Sequence, residues 1–147
     1  MSTRCNVIVM GRDGKNDIFY HHLDGYPDGV GKELLMLSHF ALKNQESTYM
    51  DSDGSVAERN LNDVRRKFME LLESDGDYKH DGIIHSDIDY MYLVEFVASR
   101  TKVGEYADIK VSYVKVGYDE IQDYEKQLLC GRGTKMWLSV EKEASKN

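Results

Sequence analysis

The stretch Ile88 to Ser99, "IDYMYLVEFVAS", limits the possible folds more than any other part of the chain. Read as a strand, its period of two puts Tyr90, Tyr92, Val94 and Phe96 on one face and Met91, Leu93 and Val97 on the other. Apolar residues on both faces require cover on both sides, which makes this a central strand of a sheet. The segment "SRTKVGEYAD" then turns the chain back into "IKVSYVKVGY", whose β-branched and aromatic content predicts an antiparallel partner. "GTKMWLSVE" reads as a last strand, and the polar tail from about residue 141 as frayed.

The N-terminal third supplies a hairpin. "NVIVM" and "DIFYHH" are β-forming runs on either side of Asp13-Gly14, which tolerates the positive φ of tight turns. On the second run, Ile18, Tyr20, His22 and Asp24 are expected on one face, and Phe19, His21 and Leu23 on the other. Helix 1 is predicted over Val30–Lys43, well buried, with Leu34, Leu37, Ala41, His39 and Phe40 at helical spacings. "QESTYMDSDGS" reads as an exposed connection. Helix 2 opens on a Ser55/Glu58 capping box and carries an apolar stripe of Leu61, Val64, Phe68 and Leu71/Leu72, ending near "SDGD".

The element order is therefore β-β-α-α-β-β-(β). It predicts an α+β domain, with two helices packed on one face of a mainly antiparallel sheet. Strand-helix alternation is missing, so the order does not favour a doubly wound nucleotide-binding fold. At 147 residues, 1–147 reads as a single domain that needs no disulfide or metal to staple its core.

A formal net charge of −7 repels phosphate backbones and excludes general nucleic-acid binding. Cys5 and Cys130 share no metal-type spacing, and free thiols in a reducing compartment are the simpler reading. The N-terminal apolar run is too short to span a bilayer and lacks signal-peptide features, so a cytoplasmic protein without a membrane segment is expected.

Chemistry concentrates in "YHHLDGYPDGVGK", Tyr20 to Lys32. It is not a phosphate-binding P-loop: five residues separate Gly25 from Gly31, and Glu33 follows Lys32 where Ser or Thr is required. A helix start with Gly29, Gly31 and Lys32 can still receive an anion, or the glycines can serve only the turn. His22 and Asp24, two positions apart beside Tyr20, suit an oriented base or half of a metal site; further ligands would have to come from His39, His80 or His85. In the alternative, Asp24 caps the turn and His22 merely bonds to it. "DSDGSVAERNLN" and "DGDYKHDG" depart from the calcium-loop pattern and read as solvated turns. No nucleophile motif appears, and no cofactor is implied. Tyr90 and Tyr92, on one face, suit either ring stacking or core packing.

The block Tyr20-His21-His22-Leu23-Asp24-Gly25-Tyr26-Pro27 resembles one that recurs in small, mostly uncharacterised proteins of bacteriophages, prophages and bacteria: Tyr, a basic residue, His, a bulky residue, then Asp-Gly-Tyr-Pro. The match falls at Tyr20, His22, Asp24, Gly25, Tyr26 and Pro27. His21 stands where Arg is frequent and Leu23 where Trp is frequent, which removes a permanent charge and a stacking surface. The resemblance implies a host-cytoplasm setting, where small acidic phage proteins often bind host proteins or sequester host signalling molecules.

The leading expectation is a non-enzymatic binder of a small anionic or nucleotide-like ligand. Tyr20, His22 and Tyr26 would contact the ligand, Asp24 would orient His22, and the Gly29, Gly31 and Lys32 backbone would take negative charge; self-association into a homo-oligomer would complete the pocket. Two other classes stand beside it: a hydrolase or phosphoesterase using His22 and Asp24, and a protein-interaction or inhibitor domain whose acidic surface meets a basic partner.

Overall fold

The computed structural model describes residues 3–11, 15–43, 55–101, 104–117, 121 and 138–140, with the backbone alone described at 55–60, 99–101 and 104–105. Its strands are β1 Cys5–Val9, β2 Asp17–His21, β3 Tyr90–Thr101, β4 Gly104–Lys115 and β5 Leu138–Ser139; its helices are α1 Lys32–Leu42 and α2 Ser55–Ser74, with a π-helical turn at Pro27–Gly31 leading into α1. The sheet runs β2-β1-β3-β4-β5. β1–β2, β3–β4 and β4–β5 are antiparallel, so the expected α+β class with a mainly antiparallel sheet holds. β1 and β3 pair in parallel, Cys5 opposite Tyr90 through Val9 opposite Val94. A parallel pair needs a long crossover, and the helical segment between β2 and β3 supplies it.

The two faces predicted for β3 exist. Tyr92 and Val94 join Cys5, Val7, Val9, Phe19, Val111 and Tyr113 on the face covered by α1 and α2. The α2 stripe falls where its three- and four-residue spacing places it: Val64, Phe68 and Leu72 are buried against this face, and Phe68 meets Phe96 edge-on at 5.8 Å. Each such side chain contributes roughly 1.5–3 kcal/mol by leaving water. Met91 and Leu93 lie on the opposite face with Ile8, Val114 and Val116, together with Ile88 and Ile121. β1 is buried along its whole length because both faces are covered and both edges are paired.

α1 is less buried than predicted. Leu34, Ser38 and Ala41 point inward, while Met36 and Phe40 are 53% and 49% exposed and His39 is exposed as well. Apolar residues surround this helix, so spacing alone does not reveal the inward face; the 34-38-41 arc is the one set against the sheet.

After α2 the chain returns along the free edge of β2. Tyr20 and Lys79 exchange backbone hydrogen bonds of 2.8 Å, and Gly82 N–H reaches Ile18 O at 3.1 Å, which blunts an otherwise open strand edge. The Asp13-Gly14 turn, the Ser55 and Glu58 side chains, the connection before Ser55, Cys130, most of "GTKMWLSVE" and the tail lie outside the described residues.

Candidate functional site

β2 ends at His21, three residues before the expected row of polar side chains does. Asp24 adopts a φ of 50°, a left-handed conformation that Asp tolerates better than most residues, and this breaks the alternation on which that row depended. Tyr20 therefore sits apart from the junction, on the sheet face away from the helices, where its ring stacks on His85 at 3.8 Å and its hydroxyl donates to Asp87 at 3.0 Å. His22 is exposed, and no hydrogen bond joins it to Asp24. The Asp24 carboxylate instead accepts from the Tyr26 hydroxyl at 3.2 Å.

The glycines serve close approach. A Cβ on Gly29 would lie 2.2 Å from the Asp24 carbonyl oxygen, and one on Gly25 would lie 2.9 Å from the Arg4 carbonyl carbon. Gly25 N–H donates to Thr3 O at 2.9 Å, and its own carbonyl accepts from the buried Tyr92 hydroxyl at 2.7 Å. Gly29 N–H donates to Tyr26 O and Val30 N–H to Asp24 O, each at 2.9 Å, while Lys32 N–H reaches Pro27 O. Two of the donors expected to cradle an anion, the Gly29 and Lys32 N–H groups, are thus taken up by the turn itself. Lys32 Nζ lies 3.6 Å from Asp28. Tyr90, Tyr92 and Tyr113 form a cluster with ring separations of 6.1–6.5 Å, and Tyr92 is fully buried, which makes this trio core packing.

Two polar constellations connect distant segments. Buried Asn6 donates to Phe19 O and Ile83 O, both at 2.9 Å, and accepts from His85 N–H at 2.9 Å. His85 Nε2 lies 2.7 Å from Asp81. Burial works against the Asp81 carboxylate, but the His85 ring and the Ile83 N–H outweigh it and hold its pKa below the ordinary value. At the β2 edge, Arg65 lies 2.6 Å from Asp17, whose other oxygen is 3.0 Å from His80; His80 also faces Glu73 at 3.2 Å and stacks on Phe19 at 4.3 Å. His80 and His85 thus bind carboxylates within the chain, and His39 lies on the outer side of α1. Among the described residues no group of three or more His, Cys, Asp or Glu side chains is placed to hold a metal.

A third group differs. On the helix-facing side, buried His21 contacts the Tyr78 ring at 4.6 Å and accepts from Leu23 N–H at 3.4 Å. Burial lowers the His21 pKa, which favours the neutral ring. The Glu33 carboxyl, on the first turn of α1, is raised to about 7 by burial and by the Asp75 carboxyl, which lies within hydrogen-bonding reach, with Asp77 adding to the effect. Tyr78 is buried, and its hydroxyl, shut off from water, lies close to the Glu33 carboxyl without a well-aligned hydrogen bond between them. Cys5, a free and fully buried thiol, completes the group; burial pushes its pKa up and keeps it unreactive. "DGDYKHDG" is therefore more than a solvated turn: it carries Tyr78 into the core and His80 to the sheet edge. One aromatic residue among polar neighbours was the sequence signal for that anchoring. Glu33 gave none, since an acid in a first helical turn is ordinary.

No family model, curated protein or solved structure matches this chain. No helix among the described residues is long and apolar enough to cross a membrane.

Proposed function

We propose that this chain is a non-enzymatic protein-interaction domain that docks a net basic partner through the outer side of α1 and the bend before it. The observation that carries this reading is the exposure of Leu23, Tyr26, Met36 and Phe40, at 44%, 40%, 53% and 49%. Single exposed apolar residues are ordinary. Met36 and Phe40, however, lie one helical turn apart on the same side of α1, where they offer a ridge for a partner's apolar groove. Asp24 and Asp28 are exposed at the N-terminal end of this ridge, and the net charge of −7 favours a basic partner by long-range attraction. The resemblance of the Tyr20–Pro27 block to phage and prophage proteins adds support, since small proteins of that kind often bind host proteins.

The test uses a photo-crosslinking residue at position 36 in the full chain, expressed in its own cellular setting. The expected result is capture of one discrete, net basic protein, with purified-component affinity reduced at least about 30-fold by Phe40→Asp, the effect of losing an aromatic hot spot. Loss must occur while the circular dichroism spectrum is unchanged. Affinity unaffected by Phe40→Asp, or no specific capture, overturns the reading. A stoichiometric nucleotide seen by native mass spectrometry and lost on Lys32→Ala would favour the small-ligand reading of the Tyr20–Lys32 junction instead.

A further inference from the structure

We propose that the Asp75-Gly76 step is a self-modification site, where the chain converts to an isoaspartyl linkage through a cyclic imide. The sequence repeats Asp-Gly at residues 13–14, 24–25, 28–29, 53–54, 75–76 and 81–82, of which 24–25, 28–29, 75–76 and 81–82 fall among the described residues. Glycine has no Cβ to shield its nitrogen from the carboxyl before it, so by sequence alone every one of these steps is open to the reaction. What separates them is the state of the glycine N–H, because a nitrogen held in a hydrogen bond must give that bond up before it can turn toward the carboxyl. Gly25 N–H donates to Thr3 O at 2.9 Å, Gly29 N–H to Tyr26 O at 2.9 Å and Gly82 N–H to Ile18 O at 3.1 Å. Gly76 N–H has no hydrogen-bond partner among the described residues. Gly76 is also exposed, and no atom lies within 4 Å of where its Cβ would stand.

The closest contrast is with Asp81-Gly82. Both acids fold the carboxylate forward over the glycine to accept the N–H two residues on, Asp75 from Asp77 at 3.0 Å and Asp81 from Ile83 at 3.1 Å. This turn sets the carboxyl carbon beside the glycine peptide. At Asp81 the second oxygen faces His85 at 2.7 Å and Ile18 holds the glycine. At Asp75 the same turn is present and the glycine nitrogen is free to move.

In the reaction the Gly76 nitrogen attacks Asp75 Cγ of the protonated acid. A C–N bond forms, the Cγ–OH bond breaks, and the hydroxyl leaves as water with the proton from nitrogen. Water then adds back to the imide. Opening at Cγ restores aspartate, whereas opening at the main-chain carbonyl carbon leaves the chain running through Cγ, with no net change in mass and no oxidant consumed. The isoaspartyl product lengthens the main chain by a methylene between the end of α2 and Tyr78. The next residue is Lys79, whose backbone exchanges hydrogen bonds of 2.8 Å with Tyr20 on the edge of β2. Modification thus loosens the strap that covers this edge.

The test ages the full chain at neutral pH in water enriched in oxygen-18, digests it, and sequences the peptides by electron-transfer dissociation, which tells isoaspartate from aspartate. Isoaspartate and heavy oxygen should accumulate at residue 75 at least about fivefold faster than at residues 24, 28 or 81, the factor an ordinary hydrogen bond supplies. In urea the four rates should converge, because unfolding frees every glycine N–H. Gly76→Ala puts its Cβ into open space, and Gly76 does not have a positive φ, so this variant should fold as wild type does and lose most of the product at residue 75. In the isoaspartyl fraction the Tyr20 and Lys79 amide hydrogens should exchange about tenfold faster than in the unmodified chain. Equal rates at the four steps in the folded chain, selectivity that survives in urea, or an unchanged rate at residue 75 in Gly76→Ala overturns the site. Unchanged exchange at Tyr20 and Lys79 overturns the loosening of the strap.

Discussion

On the sheet face turned away from the helices, Tyr20 stacks on His85, His85 faces Asp81, Tyr20 donates to Asp87, and Asn6 fills both its donor positions and one acceptor. On the helix-facing side His21, Tyr78, Glu33 and Asp75 bring the same residue types together at the same end of β2, yet the phenol lacks a well-aligned hydrogen bond and two carboxyls crowd each other. The first arrangement fastens the 80–89 segment to the hairpin. Because it meets its own hydrogen-bonding needs, nothing in it asks for a ligand. The second is less well satisfied in the terms of the same accounting, and that separates a crowded pair of acids from a structural clasp built of the same side chains.

The contrast breaks most visibly at Asn6. Asn6→Ala removes three hydrogen bonds at once and leaves the buried carbonyl of Phe19 and the partly buried backbone groups of Ile83 and His85 without their partner. Urea unfolding should show a loss of about 3–4 kcal/mol. A loss under about 1 kcal/mol would mean that the 80–89 segment is not fastened there, and the two faces would no longer differ in kind.

A smaller effect should follow from pH. The Glu33 carboxyl titrates at about 7 in the folded chain against an ordinary 4.5, with burial first and Asp75 next among the causes, opposed in part by Tyr78. The folded state therefore holds this proton more tightly than the unfolded one. That stability is fully present below pH 4.5 and is lost as pH rises through 7. Glu33→Gln removes the titration, so its stability relative to wild type should rise by roughly 1 kcal/mol between pH 5 and pH 8, after allowance for solvent screening at a half-buried site. Urea unfolding at the two pH values measures it, and parallel pH dependence of the two proteins would show that the carboxyl pair is not strained.

What the sequence made legible was local. The two-faced β3 and the α2 stripe follow from periods of two and of three to four residues, and both sit where those periods put them. The parallel β1–β3 pairing joins residues some 85 positions apart, and no local pattern encodes it. Asp24 was legible in part: Asp before Gly is a turn signal, and giving it more weight than the β-forming run before it would have ended the strand at His21. The placement of Tyr20 across the sheet from the junction then follows from alternation alone. Glu33, Asp75 and Tyr78 meet only through tertiary packing, from the start of α1 and the end of α2.

The subtlest test compares two tyrosines. Tyr78→Phe deletes a buried hydroxyl that has no well-aligned partner, so it should leave stability unchanged or raise it by up to about 1 kcal/mol. Tyr20→Phe deletes a hydroxyl bonded to Asp87, which Arg4 also approaches at 3.4 Å. That bond is solvent-exposed, and its loss should cost only about 0.5–1 kcal/mol. Both variants keep the ring and hence its contact with a histidine, so the difference in urea midpoint isolates the hydroxyls. Opposite signs are the expected outcome. If Tyr78→Phe proves the more costly of the two, its hydroxyl has a partner in solution, most simply Glu33, and the helix-facing group is a closed clasp like the one across the sheet.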